Sequence, residues 1–377
     1  MKSKEISNFL QSRIDAGDFP SAVYLVAEKG EIVFRDALGF AVVEPERIKA
    51  KIDTIYDLAS LTKPLVTGLL CAKLIENGEI NLSDKIVKYF PEFDTDEKSE
   101  ITVENLLTHT SGFPAWRPFY LMENGRRKTE SVKEKVLRLI TLEPLENPVN
   151  AKVVYSDLNF ITLGFLLEKL YAKRLDEIAE SEIFAALKLQ KTFYNPPQFL
   201  QREIAASENG NVFERQTAAE RNFEVESAKI RNRMVWGDVH DGNAYFMNGV
   251  SGHAGLFSNI FETFKIARQF LAEETVLLKP ETCKLFRANF TENLNEARSL
   301  AFQLAETKDS TASNALSKDS FGHLGFTGTS LWIEPETRRI FILLTNRTHN
   351  RALPFANINA VRRRFHELAA QSLDEKN

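Results

Sequence analysis

Apolar residues recur at Ile6, Phe9, Leu10 and Ile14, which marks one face of a helix over residues 4–16, and Gly17 follows as its stop signal. The period then changes. In SAVYLVAEKGEIVFRDALGF (residues 21–40) β-branched and aromatic positions flank Lys29-Gly30, a turn signal that predicts a β-hairpin. Residues 61–77 return to helical spacing, with apolar side chains at 65, 66, 69, 70 and 74 and Gly78 beyond the end. From about residue 80 to 295 the pattern is mostly helical with long polar interruptions, whereas strand-like runs return between about 299 and 348 in SLWIEP and RRIFILLTN. Residues 356–373 again have helical spacing and would cover a sheet. Strands at both ends with helices between them predict an α+β protein: residues 1–80 and 296–377 form a sheet domain, and residues 81–295 an inserted helical domain.

Composition narrows the partners. A formal net charge of -4 over 377 residues leaves no basic footprint for nucleic acid, so none is expected, while small neutral or cationic ligands remain open. The most apolar windows, 65–75 and 160–170, fall well short of the roughly 18 residues of a membrane span. Glu5, Gln11, Arg13 and Asp15 interrupt the opening residues before a signal-peptide core can form, and Cys71 and Cys283 stand far apart without a CxxC. Free thiols and a cytoplasmic location are the expectation. No cofactor is called for, and the sequence carries no signal for oligomeric state.

Three segments could carry chemistry. Ser60-Leu61-Thr62-Lys63 lies where an extended segment enters a helix, and positions i and i+3 share a face, so the Ser60 hydroxyl and the Lys63 amine can meet. A serine needs a base before it attacks, and a desolvated lysine can serve. The second segment is Tyr155-Ser156-Asp157 at a strand-to-helix junction, where a phenol beside a cation can relay a proton. The third, Gly322-His323-Leu324-Gly325-Phe326, is a glycine-dense approach to a strand, and its glycines let backbone come close to a bound acyl group. Each alone also fits an ordinary role, as a helix cap, a helix anchor or a sheet-edge bend.

In this order, S-x-x-K, Y-S-D and H-x-G resemble the three motifs of class C β-lactamases, D-alanyl-D-alanine peptidases and β-lactamase-like carboxylesterases. LLTHTSG at 106–112, GVSGHAGLFS at 249–258 and GHLGFTGTSLW at 322–332 extend the likeness over about residues 20–350. The resemblance implies a β-lactamase/transpeptidase-like fold: an antiparallel sheet flanked by helices, an inserted mostly helical domain, and the active site between the two. It implies Ser60 as acylated nucleophile, Lys63 and Tyr155 as proton-transfer partners, and the backbone N–H groups of Ser60 and Phe326 as oxyanion hole. Asp157, His323 and Gly325 would contact substrate.

Two departures stand out. Asp157 replaces the asparagine of the relatives and should favour the charged form of Lys63, shifting the work of base toward Tyr155. His323 replaces a lysine, can donate a hydrogen bond when neutral, and should hold a substrate carboxylate better as pH falls toward about 6. Trp116, Phe119 and Tyr120 are expected to wall an acyl slot, with residues 203–241 as a lid. The resulting expectation is a serine hydrolase acting through an acyl-enzyme on short acyl esters. A β-lactamase or D-alanyl-D-alanine carboxypeptidase is the alternative, and a catalytically silent binding module of the same fold a further one. His240, Asp241 and His253 are ligand types within a short stretch, but no HExxH accompanies them and no metal is expected. A G-x-S-x-G elbow is missing too, since Gly249-Val250-Ser251-Gly252-His253 lacks the last glycine.

Overall fold

The computed structural model describes residues 1–122, 130–225 and 231–376. Among these are the strands β1 (Ser21–Glu28), β2 (Glu31–Val42), β3 (Ile48–Lys49), β4 (Tyr56–Asp57), β5 (Phe193–Tyr194), β6 (Leu256–Ser258), β7 (Gln303–Leu304), β8 (Phe321–Leu324), β9 (Ser330–Glu334) and β10 (Arg339–Thr345). Seven of them form an antiparallel sheet in the order β3-β2-β1-β10-β9-β8-β7, and β4, β6 and β5 form a small second sheet. The turn at Lys29-Gly30 joins β1 to β2, and both residues have positive φ, 51° and 81°, as a two-residue hairpin turn that follows strand twist requires.

Period-two alternation decides what each face meets. Val23, Leu25 and Ala27 of β1 and Ile340, Ile342 and Leu344 of β10 enter a core shared with the helical lobe. Their neighbours Ala22, Tyr24, Val26, Phe341 and Leu343 enter a second core. The helix Lys4–Asp15 closes that second core through Ile6 and Leu10, and the C-terminal helix Asn359–Asp374 through Val361, Phe365 and Leu368. Burial on both faces is why β10 reads as an unbroken hydrophobic run rather than an alternating one.

The helical lobe contains the helices Val103–Thr108, Val132–Leu142 and Asp157–Tyr171. The helix Ile260–Ala267 lies against β1 and β10 through Ile260, Phe264, Ile266 and Ala267, so the chain returns to the sheet within the stretch assigned to the inserted domain. Helical periodicity reports a buried face but not which partner covers it. None of the described helices is long and apolar enough to cross a membrane.

The segment expected as one helix over 61–77 is built in three pieces: a 3₁₀ turn Ala59–Leu61, a π-helical turn Lys63–Gly68, and the α-helix Leu69–Glu76. Pro64 has no N–H to return to the Ser60 carbonyl, and the wider turn is closed instead by Leu69 N–H to the Pro64 carbonyl. Ala59 takes a left-handed φ of 48°, and its N–H is held by Asp57 Oδ1 at 2.8 Å. A non-glycine residue in that region is strained, and it is the residue that turns Ser60 out of the extended segment.

Candidate active site

Ser60 and Lys63 face each other as the i, i+3 spacing predicts. Lys63 Nζ donates to Ser60 Oγ at 3.0 Å, to Asp157 Oδ1 at 2.7 Å and to the His253 carbonyl at 3.0 Å. These three acceptors use all three N–H bonds of an ammonium. The carbonyl of His253 reaches Lys63 because Gly252 packs backbone to backbone on the helix Asp157–Tyr171. A Cβ on Gly252 would lie 2.2 Å from the Phe160 carbonyl. Lys63 is fully buried, which by itself would lower its pKa, but the charge of Asp157 and then that of Tyr155 outweigh burial and raise it.

Tyr155 Oη is enclosed and makes no hydrogen bond to the described residues, although Lys63 and Ser60 lie close enough to act on its ionisation. Its ring has Lys63 Nζ 5.0 Å and Arg298 Cζ 5.5 Å from its centroid, with His109 at 4.6 Å and His323 at 5.7 Å. Burial raises the Tyr155 pKa; Lys63 works against that rise and Asp157 adds to it.

His323 does not behave as the sequence suggested. Its Nδ1 lies 2.9 Å from the Leu324 carbonyl, which can only accept, so Nδ1 carries the proton and Nε2 presents a lone pair. Burial, with Lys63 and Arg298, holds its pKa well below the ordinary histidine value. The ring is therefore a neutral acceptor, neither a donor to a substrate carboxylate nor a group that charges near pH 6. His109 is the opposite tautomer, because its Nδ1 accepts from Ser156 N–H at 3.1 Å.

The cleft beside Ser60 has a volume of about 520 Å³. Ser60, Tyr155, Asp157, His323, Gly325 and Phe326 line it, and so does Trp116. Phe119 and Tyr120 do not form its wall. Phe119 is fully buried in the main core, and Tyr120 turns inward to donate to Glu214 Oε2 at 2.7 Å. The helix Val212–Glu220, within the stretch expected as a lid, supplies Phe213 instead, its ring tilted against that of Phe326 with centroids 4.8 Å apart. Glu214 of the same helix is pushed up from the usual carboxylate range by burial and then by Asp241.

Gly325 is a close approach. A Cβ there would lie 2.0 Å from Thr329 Oγ1 and 2.7 Å from the Leu58 carbonyl, so only glycine brings this corner of the sheet against the residues preceding Ser60. Arg362 donates to the Gly325 carbonyl at 2.6 Å, and Arg347 to the Phe326 carbonyl at 2.7 Å. Neither arginine, nor Arg298, carried a sequence signal, since each is an isolated basic residue that only the fold brings to the cleft.

Of the suspected metal-ligand types, Asp241 and His253 do meet, joined by Asp157, with ligand atoms within 4.8 Å of one another. The Lys63 ammonium already sits on Asp157, and His253 Nε2 is 2.9 Å from Asp241 Oδ1. A divalent cation would have to displace that ammonium. His240 turns to Glu208 Oε2 at 2.8 Å and stacks on Phe326. Ser251 Oγ lies 2.8 Å from His253 Nδ1, which makes a serine–histidine–aspartate set with Asp241, but Ser251 is buried and does not line the cleft.

Comparison with known proteins agrees with this architecture. Residues 6–363 match the β-lactamase family model. A "Putative D-alanyl-D-alanine carboxypeptidase" of Escherichia coli (strain K12) is 31% identical over 366 residues, covering 92% of this chain and 82% of that protein. An "N-acetylmuramyl-L-alanine amidase" of Bacillus subtilis (strain 168) is 30% identical over 370 residues, covering 92% and 81%. Among solved structures, EstCE1, a hydrolase with promiscuous acyltransferase activity, superposes with a TM-score of 0.73 at 18% identity over 97% of this chain and 98% of its own. A class C β-lactamase from Rhodobacter sphaeroides gives 0.70 at 15% identity over 98% and 100%. With that match running nearly end to end over a sheet-plus-helical architecture of the same kind, the chain belongs to the β-lactamase family and is a hydrolase of that fold.

Proposed function

We propose that Ser60 is acylated and deacylated with Tyr155 as the proton carrier and Lys63 as a fixed cation, on short acyl esters as the readiest substrates. The observation that carries this reading is the threefold donation from Lys63. An ammonium donating to Ser60 Oγ, Asp157 and the His253 carbonyl has no lone pair with which to take a proton, and Ser60 must point its own proton elsewhere. Tyr155 is the remaining partner.

In the first step Ser60 Oγ bonds to the acyl carbon while its proton passes to the Tyr155 phenolate. The oxyanion is held by the N–H groups of Ser60 and Phe326. Tyr155 then gives its proton to the departing alkoxide, leaving acyl-enzyme and alcohol. Water repeats the sequence: it loses a proton to Tyr155, attacks the acyl carbon, and Ser60 leaves with the proton returned. Lys63 keeps its charge throughout and favours the phenolate, so the Lys63–Tyr155 pair titrates as a unit. Trp116, Phe213 and Phe326 give the acyl group an apolar surface. Asp157, His323 and Gly325 complete the substrate contacts. A cytoplasmic site of action belongs to the same reading, and Cys71 and Cys283 are buried free thiols.

A second reading, cleavage of an amide in a cell-wall-type peptide, is favoured by the two relatives at 30% and 31% identity. The experiment compares kcat/KM for p-nitrophenyl acetate, butyrate and octanoate with a chromogenic cephalosporin, a D-Ala-D-Ala peptide and a muramoyl-L-alanine amide, using Ser60→Ala as the blank. Esters are expected to lead. If the peptide, amide or cephalosporin outruns every ester by about tenfold, a rate difference of about 1.4 kcal/mol, the second reading replaces the first.

A further inference from the structure

Arg362 closes the first turn of the C-terminal helix Asn359–Asp374, a helix whose other inward residues close the core on the far side of the sheet. The residue is 5% exposed, yet among the described residues its hydrogen bonds go to oxygens without formal charge: Asn359 Oδ1 at 2.9 Å, the Gly325 carbonyl at 2.6 Å and the Thr329 carbonyl at 2.9 Å. The neighbouring charge that acts on it is another cation, Arg347. Burying a guanidinium without a counter-ion is costly, and a hydrocarbon of the same size would suit a helix–sheet contact better. A core role therefore leaves the charge unexplained.

The atom it holds supplies an explanation. The Gly325–Phe326 peptide is trans, since the cis bonds of the described chain are those before Pro45 and Pro354. In a planar trans peptide the Gly325 C=O and the Phe326 N–H point in opposite directions. That carbonyl accepts from the Gly328 N–H at 3.0 Å as well as from Arg362, and fixing it toward the C-terminal helix fixes the Phe326 N–H away from that helix, while Gly325 itself abuts Leu58 and Ala59, the residues leading into Ser60. Arg347 holds the next carbonyl, that of Phe326, at 2.7 Å, so a cation secures the peptide on each side of Phe326.

We infer that Arg362 is a positioning residue for the oxyanion hole: through the Gly325 carbonyl it orients the Phe326 N–H and strengthens it as a donor. A cation on the carbonyl end of a peptide withdraws electron density from its N–H, and a pre-set donor needs no reorganisation when negative charge develops. This inference rests on the Ser60 acyl-transfer reading and identifies what keeps its hole in shape.

The test uses Arg362→Lys and Arg362→Gln in the full chain, with p-nitrophenyl butyrate turnover and inhibition by phenylboronic acid. Addition of Ser60 Oγ to that probe gives a tetrahedral boronate whose oxygen occupies the hole. Loss of one oxyanion donor costs about 10²–10³ in kcat, so a misaimed one should cost about ten- to a hundredfold. In Arg362→Gln, kcat and boronate affinity are expected to fall by the same factor while KM stays within about twofold, and Arg362→Lys, which keeps the charge, should recover part of both. Should Arg362→Gln fail to fold, Arg362→Lys is read alone, with a kcat loss matched by the boronate. Folded variants with wild-type kcat and boronate affinity, or with KM rising while kcat holds, overturn the inference. A wild-type protein that turns over no ester and gains no fluorophosphonate on Ser60 overturns the acyl-transfer reading, and this inference with it.

Discussion

Asp157→Asn perturbs the mechanism at its most unusual point. The carboxylate lies 2.7 Å from a fully buried ammonium and is itself 16% exposed at the side chain. Two unit charges at that separation attract by about 6 kcal/mol at an effective dielectric of about 20, and burial of both ions offsets part of this. The net effect of such a neighbour is about 1–3 pKa units, or roughly 1.4–4 kcal/mol. Asparagine is nearly isosteric and can still accept from Lys63 Nζ through its amide oxygen, so the change is chiefly one of charge. Removing an anion disfavours nearby cations and favours nearby anions, which lowers both the Lys63 and the Tyr155 pKa; each now stands above its ordinary value. If Tyr155 phenolate is the base, kcat/KM for p-nitrophenyl acetate rises with pH in the wild type as the Lys63–Tyr155 pair loses a proton. In Asp157→Asn that limb should move to lower pH by about 1–3 units, which increases the rate near neutrality. The assay is the pH profile between about pH 6 and 10, with Ser60→Ala subtracted as blank. A limb that stays in place or moves to higher pH would refute the argument, since no removal of negative charge can favour Lys63 charge or disfavour phenolate.

Two further predictions follow from corrected placements. Because His323 is held neutral well below its ordinary value, KM for a carboxylate-bearing ester should be flat between about pH 6 and 8, and a KM that improves toward pH 6 and loses the trend in His323→Ala would restore the protonation switch. Phe119→Ala should destabilise the fold by about 3–5 kcal/mol in denaturant unfolding without altering acyl-chain preference, whereas Trp116→Ala, at the cleft, should change the butyrate-to-octanoate ratio at little cost in stability.

How far the sequence reached follows from the kind of signal each residue leaves. Ser60 and Lys63 were legible because a local rule, i and i+3 on one helical face, brings them together whatever the rest of the chain does, and the structure keeps that contact even through a 3₁₀ and a π turn. The influence of Asp157 on Lys63 was legible from its position beside Tyr155. The hairpin and β10 were legible because pleated alternation and continuous hydrophobicity are strand signals in their own right. Phe119 was misplaced because an aromatic in a loop looks alike whether it faces a cleft or a core. His323 was misread because its tautomer is set by the Leu324 carbonyl, a backbone contact that no residue type announces. Arg298, Arg347 and Arg362 leave no local pattern, and only the closure of β7 to β10 and the C-terminal helix around one corner gathers them.

The most direct test of the central claim is to identify the acylated residue. The protein is quenched in acid during turnover of p-nitrophenyl butyrate, or after reaction with a fluorophosphonate, then digested and mapped by mass spectrometry. The account predicts one adduct, on Ser60, present in the wild type, absent in Ser60→Ala and retained in Ser251→Ala. An adduct on Ser251, which is buried 2.8 Å from His253 Nδ1, or turnover with no covalent intermediate in either experiment, would contradict it.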